Sequence, residues 1–158
     1  LEITEFLEKQ KIISKQNITS RSKQITLENI NFDAQTLVNQ IQSSDPLKLE
    51  NVKIVESTHS IDILSKDVSK LELVKFVKNR IEQNYDVLCV GDRGNWPGND
   101  YELLSHDFSL SVDETSDDNN TCWNLVMNDI GEKGVLNYLS YGKIRENYII
   151  FEKIGDGI

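Results

Sequence analysis

Val90-Gly91-Asp92-Arg93-Gly94-Asn95-Trp96-Pro97-Gly98-Asn99-Asp100 is the stretch on which the reading of this chain turns. Before it stands Asp86-Val87-Leu88-Cys89-Val90, an apolar run typical of a strand buried on both faces. Such a strand delivers one carboxylate, Asp92, onto a glycine-rich turn, and a second, Asp100, follows at the start of a short helix expected near residues 99–104. The carboxyl edge of an open α/β sheet is where ligands bind. Two acids there suit a hard cation such as Mg²⁺, which takes a few carboxylates and leaves room for phosphate oxygens. The loop amides and the helix start near Asn99 would favour an anion. The same residues also suit a plain surface turn, since Gly, Asn, Asp and Pro are what turns are made of. The stretch is neither a nucleotide P-loop, which needs Gly-Lys-Ser/Thr, nor a dinucleotide fingerprint, whose glycine spacing is not met.

Upstream, Ser69 stands three residues before Glu72 at capping-box spacing, and Leu73, Val74, Phe76, Val77 and Ile81 follow, which predicts a helix over residues 69–83. That places Lys70 at the first helical position, where the macrodipole disfavours a cation by roughly 0.3–1 kcal/mol. A lysine there either stands in solvent or has an anion to meet, and the packing of this helix on the strand lets Lys70 approach the sheet edge that carries Asp92. Downstream, Phe108–Val112 reads as a strand, residues 113–121 as a polar loop, Gly134–Tyr141 as a helix, and Tyr148–Phe151 as a terminal strand or tail. Helix, buried strand, loop, helix, strand is α/β topology.

The first third of the chain has a different character. Ile3, Phe6, Leu7, Ile12 and Ile13 suit an amphipathic helix within residues 1–16, and Gln24–Ile30 reads as a strand. Asp33 is a plausible N-cap for a helix using Leu37, Val38 and Ile41 that stops before Asp45-Pro46. Val52–Val55 and Ser60–Leu64 then read as two strands joined tightly. Strand, helix, strand, strand forms the kind of small α+β layer that serves as a lid or cap.

The run Ile61-Asp62-Ile63-Leu64-Ser65-Lys66-Asp67-Val68-Ser69-Lys70, then a helix, then Val90-Gly91-Asp92, then Gly98-Asn99-Asp100-Tyr101-Glu102-Leu103-Leu104, resembles the third and fourth motifs of haloacid dehalogenase (HAD) superfamily phosphatases. It is most similar to the Cof-like and sucrose-phosphatase-like branch, in which an "IDI-x-P" strand, a "VSK" lysine and a "GD…ND…L" loop occur in this order. The resemblance covers roughly residues 50–142. It implies a partial HAD-like (Rossmannoid) parallel sheet with a small α+β cap segment: residues 1–64 the C-terminal part of the cap, 65–142 the C-terminal part of the core, and 143–158 a terminal strand or tail. It further implies that Lys70 neutralises the nucleophile and the transferring phosphoryl group, and that Asp92 binds Mg²⁺ directly. Asp100 holds the metal's waters or orients the lysine, and Asn99 hydrogen-bonds in the same loop. Three departures stand out. The loop from Asp92 to Asp100 is longer than "GD-x-x-ND", so Asn95 competes with Asn99; Ser65-Lys66 replaces a proline-containing turn; and the Asp-x-Asp of the first motif, with the Ser/Thr motif after it, is absent. These phosphatases act through an aspartyl-phosphate with a second aspartate as acid/base. Asp113, Asp117 and Asp118 do not follow an apolar strand in that manner, and Asp156 lacks the second Asp.

Composition bounds the rest. The 158 residues can form one domain or two small lobes, and a net charge of −9 argues against nucleic acid or an anionic membrane surface as partner. Cys89 and Cys122 make neither a disulfide framework nor a zinc site, Cys89 packing as a small hydrophobe, and a cytoplasmic location is expected. No apolar stretch is long enough for a membrane-spanning helix. Leu1 in place of Met carries the expectation that the chain is cut from something longer. His59 and His106 show no ligand spacing, the acids of 113–120 lack the glycine and closing Glu of a calcium loop, and Trp96 and Trp123 either line the mouth of the site or cover core, core cover being favoured.

The expectation is therefore a Mg²⁺-dependent hydrolase of a small phosphorylated metabolite, such as a sugar phosphate, once complete. This chain alone is expected to be inactive. It should also associate with itself or with a complementing chain, because missing strands would leave a sheet edge and apolar surface exposed. The alternatives are a non-catalytic binding or regulatory module on a truncated HAD-like fold, and an unrelated acidic α/β domain, which Lys70 and Asp92 lying far apart would favour.

Overall fold

The structure, a computed structural model, describes residues 2–116, 122–126, 128–146 and 148–151. It is a mixed α/β chain of two compact units: Leu1–Ser69 with Pro97–Asn99, and Lys70–Trp96 with Asp100–Ile158.

The first unit begins with α1 (Glu2–Lys9), much shorter than the 1–16 span, followed by a 3-10 turn at Lys15–Asn17 and β1 (Ile18–Ser20). Next come β2 (Gln24–Glu28), α2 (Ala34–Ser44), a 3-10 turn at Pro46–Leu49, β3 (Val52–Glu56) and β4 (Ser60–Ser65). The sheet runs β1-β2-β4-β3, antiparallel throughout. Its register sets Leu27 opposite Ile61, Ile25 opposite Ile63, and Ile54 opposite Ile63, so one face is apolar. On the other face Thr26 donates to the Asp62 carboxylate at 2.6 Å and Gln24 donates to it at 3.1 Å. Asp33 caps α2 by accepting from the Thr36 N–H at 2.7 Å, and the helix stops where Pro46 follows Asp45. Ala34, Leu37 and Ile41 share the buried face of α2 and close on Leu7, Leu27, Ile54, Ile61 and Ile63. The Pro97–Asn99 segment extends this unit: Glu56 N–H donates to the Pro97 carbonyl at 2.7 Å, and Asn99 N–H donates to the Glu56 carbonyl at 2.9 Å.

The second unit contains α3 (Leu71–Lys78), β5 (Cys89–Arg93), α4 (Tyr101–Leu104), β6 (Ser109–Glu114) and β7 (Cys122–Trp123). α5 (Gly131–Tyr141) and a hairpin of β8 (Gly142–Arg145) and β9 (Tyr148–Phe151) complete it. β5, β6 and β7 form a parallel sheet in that order, with α4 in the crossover between β5 and β6. Its core is small: Leu110, Val112, Val126 and Tyr138, with Phe151 edge-on to Tyr138 at 5.6 Å. The Tyr138 hydroxyl donates to the Ser111 carbonyl at 2.6 Å and accepts from the Leu125 N–H at 2.9 Å, tying α5 to the sheet.

Several elements differ from the sequence reading. The strand expected at 86–90 lies at 89–93, and Leu88 is 40% exposed while Cys89 is buried. Ladder pairing with β6, which starts at Cys89 opposite Ser109, sets the strand's limits more firmly than the apolar run does. α3 starts at Leu71 and ends at Lys78, with Lys70 rather than Ser69 at its N-cap. Trp96 and Trp123 cover no core; both are more than half exposed. Asp117, Asp118 and Asp156 lie outside the described residues. No helix among the described residues is long and apolar enough to cross a membrane.

Candidate functional site

The sequence anomaly at Lys70 has a structural answer. The residue sits at the start of α3, where the helix dipole disfavours it, and its ammonium forms an ion pair with the Asp100 carboxylate. Asp100 stands at the start of α4 without capping that helix. Its carboxylate is turned to β5 instead: Oδ1 meets Lys70 Nζ and Oδ2 accepts the Asp92 N–H at 3.0 Å. Lys70 is about half exposed, whereas Asp100 is only 6% exposed.

Glycine makes this approach possible. A Cβ on Gly91 would lie 2.6 Å from Asp100 Oδ2, so the carboxylate rests on backbone that only glycine leaves bare. Gly94 serves the far side of the turn, where a Cβ would lie 2.7 Å from the main chain of Glu114–Ser116. Asp92 occupies the break in the β5–β6 ladder: Gly91 pairs with Ser111 and Arg93 with Glu114, so β6 carries one more residue across the gap. That irregularity leaves the Asp92 N–H available to Asp100.

The electrostatics follow from this crowding. Burial pushes the Asp92 carboxyl above the usual carboxylate range, and the adjoining Asp100 carboxylate adds to it by hydrogen bonding and repulsion. Burial would raise Asp100 as well, but the Lys70 ammonium and the Asp92 N–H outweigh it and hold Asp100 below that range. The lysine thus favours the charged form of Asp100, while burial beside that charge disfavours the charged form of Asp92.

Two carboxylates form the acidic part of this site. Among the described residues no cluster of three or more His, Cys, Asp or Glu side chains forms a ready metal cage. Mg²⁺ keeps several waters and takes one or two protein acids, so two carboxylates are within what it requires. A dication would favour the charged form of Asp92 against that burial and repulsion, so Asp92 and Asp100 are the residues that would hold such an ion.

The other named residues are placed elsewhere. Asn99 belongs to the first unit, and its side-chain Oδ1 is buried with no hydrogen-bond partner among the described residues. Asn95 is exposed on the turn of the second unit. Trp96 packs edge-on against Tyr101 at 5.5 Å. His59, at the β3–β4 turn, lines a recess of about 890 Å³ in the first unit with Asn31, Asp33, Thr36 and Glu56. His106 Nδ1 accepts from the Phe108 N–H at 3.1 Å. Sequence reasoning missed Arg93 and Glu114, whose side chains meet at 2.8 Å beside Asp92. The charge of Arg93 within the motif loop was the available signal.

No family model matches the chain. No curated protein matches it. Among solved structures the chain is similar to a protein from Plasmodium vivax assigned to the HAD/COF-like hydrolases, at 19% identity and a TM-score of 0.45. The match covers 64% of this chain and 35% of that one, so the chain spans about a third of that protein's length. At this level the likeness is one of shape alone, and the chemistry has to be read from the residues.

Proposed function

We propose that the second unit carries the cation- and phosphoryl-handling end of a Mg²⁺-dependent phosphohydrolase of the HAD type, acting on a small phosphorylated metabolite such as a sugar phosphate. The observation that carries this reading is the convergence of Lys70, Asp100 and Asp92 on the carboxyl end of β5. In this role Asp92 holds the ion directly, and Asp100 orients Lys70 and the ion's waters. The Lys70 ammonium, about half exposed, is placed to meet an anionic oxygen. When bound, Mg²⁺ supplies positive charge that offsets charge developing on the transferring group. Asn99 is the further phosphate-binding candidate by motif position, with an unmet side-chain acceptor that suits a hydroxyl or amide donor better than a phosphate oxygen.

The 158 residues contain no Asp-x-Asp sequence, the motif that would supply the nucleophile on this reading. On the same reading the nucleophile comes from a complementing segment or chain. Two features support such a partner: β5 is an edge strand of the described parallel sheet, beside Asp92, and the second unit exposes many large apolar side chains. Those same two features favour the alternative, a binding module that keeps the fold without the reaction.

The deciding experiment is a Mn²⁺ titration of the chain by electron paramagnetic resonance, with Asp92→Asn as control and p-nitrophenyl phosphate as a turnover probe. The expected outcome is saturable binding that Asp92→Asn abolishes, with no turnover by the chain alone. Absence of binding in the unaltered chain would sink the phosphohydrolase reading and leave the binding module.

A further inference from the structure

Arg93 touches neither of the two acids with its side chain, yet it is joined to both through the backbone. It follows Asp92 directly, and its carbonyl accepts the Asp100 N–H at 3.2 Å. Its guanidinium Nη1 donates to Glu114 Oε1 at 2.8 Å, at the point where the β5–β6 ladder resumes after the break at Asp92. Glu114 is itself fixed at the end of β6: its carbonyl accepts from Gly94 N–H at 3.1 Å and from the Ser111 hydroxyl at 2.6 Å. The Ser111 hydroxyl also accepts the Asp113 N–H at 3.1 Å, which stabilises the extra residue of β6. Every one of these bonds lies in the second unit.

The consequence is geometric. A break in a ladder re-aims the residue within it, but only if the pairing on its far side is fixed. Gly91 opposite Ser111 fixes the near side, and Arg93 opposite Glu114 fixes the far side. Between them the Asp92 N–H is directed to Asp100 Oδ2, and Asp100 is tethered back through Arg93. The arginine is not held there by a full set of its own hydrogen bonds, since its buried Nε has no partner among the described residues. Its identity is thus explained by what it positions more than by its own satisfaction.

We propose that Arg93, through its ion pair with Glu114, is the positioning residue that sets the separation of Asp92 and Asp100 and so the affinity of the pair for a divalent cation. The metal-affinity half of this inference rests on the cation reading above; the geometric half does not. A conserved-shape substitution of an outer partner in a metal site changes affinity by about ten-fold to a hundred-fold.

The test compares the unaltered chain with Arg93→Met, Arg93→Lys and Glu114→Gln by amide hydrogen exchange and by Mn²⁺ titration. Arg93→Met is expected to lose about ten-fold or more of the exchange protection at the Asp92 and Asp100 amides. Cys89, whose N–H donates to the Phe108 carbonyl at 2.8 Å at the other end of β5, should keep its protection. The Mn²⁺ dissociation constant should rise by about ten-fold or more, and Arg93→Lys should restore most of both effects. Protection and affinity unchanged in Arg93→Met would overturn the proposal, as would a loss spread equally over Cys89, which marks an ordinary structural ion pair. Should Arg93→Met fail to fold, Glu114→Gln, which keeps a neutral hydrogen-bond acceptor, carries the same expectations in weaker form. A selective loss at Asp92 and Asp100 in a chain that binds no Mn²⁺ would uphold the positioning role and sink the cation reading.

Discussion

The two units spend their apolar residues differently. In the first, helix α2 and the four-stranded antiparallel sheet enclose Leu7, Leu27, Leu37, Ile41 and Ile61 almost completely, and Leu47 is the one large hydrophobic residue of that unit markedly exposed among the described residues. In the second, the enclosed cluster is four residues, while Leu73, Phe76, Trp123, Leu136, Leu139 and Ile144 all stand more than half exposed. The opposite face of the first unit's sheet is polar and part-buried at the Thr26–Asp62 bond, with Val55 buried opposite Asp62. A parallel sheet is ordinarily covered on both faces, and around that of the second unit large apolar side chains stay exposed among the described residues. The unit with the convergent acids is thus the one with the smaller enclosed cluster and the more open apolar surface.

That contrast can be broken by mutation. The largest effect is expected in the closed core: Leu37→Ala should destabilise the first unit by about 2–5 kcal/mol, read by urea denaturation. A loss under about 1 kcal/mol would mean that this core is less tightly closed than its burial indicates.

The second unit should be most sensitive at the tie between α5 and the sheet. Tyr138→Phe strands the Ser111 carbonyl and the Leu125 N–H, and should cost about 1–3 kcal/mol. Burial pushes the Tyr138 hydroxyl above its ordinary value of 10.0. A group with a raised folded pKa stabilises fully below its unfolded value, and that contribution is lost as pH rises through the folded value. Stability of the unaltered chain should therefore fall above about pH 10, and Tyr138→Phe should flatten that fall. An alkaline limb identical in the two proteins would assign the loss to other groups.

The smallest effect on stability, and the sharpest on association, belongs to the open surface. Ile144→Ser together with Leu139→Ser should change unfolding free energy by no more than about 0.5 kcal/mol each. Both should lower any self-association seen by sedimentation at high concentration, because they remove apolar patch. Identical sedimentation before and after would mean that the exposed face takes no part in association.

How far the sequence reached differs by element. α2 was legible because its signals are local: a capping Asp33, apolar positions at 37, 38 and 41, and Pro46 as a stop. β3 and β4 were legible for a similar reason, their apolar alternation matching the face that the register buries. β1, β7 and β8 were not, since strands of two to four residues exist only through a partner that local sequence does not specify. β5 was found but displaced, because apolar character stops at Val90 whereas pairing resumes at Arg93 past the break at Asp92. At the site, the acids and the lysine were legible as residue types at telling positions. Arg93 and Glu114 were passed over, because an arginine in a turn and a glutamate at a strand end carry no pattern until the ladder sets them opposite each other.

By itself the sequence determined that two acids and a lysine would stand near the ends of a strand and a helix, because chain connectivity and local periodicity place them there. It did not determine that the strand lies at the edge of the described sheet and is only half-buried. Nor did it determine which acid the lysine would hold. The tertiary structure gave Lys70 to Asp100, thirty residues away, and left Asp92 crowded beside it. That division depends on Gly91 leaving its backbone bare and on a one-residue break in the ladder, and on the unequal burial of two carboxylates that are chemically the same. Burial and opposing charge act through space, and only the folded chain fixes those distances.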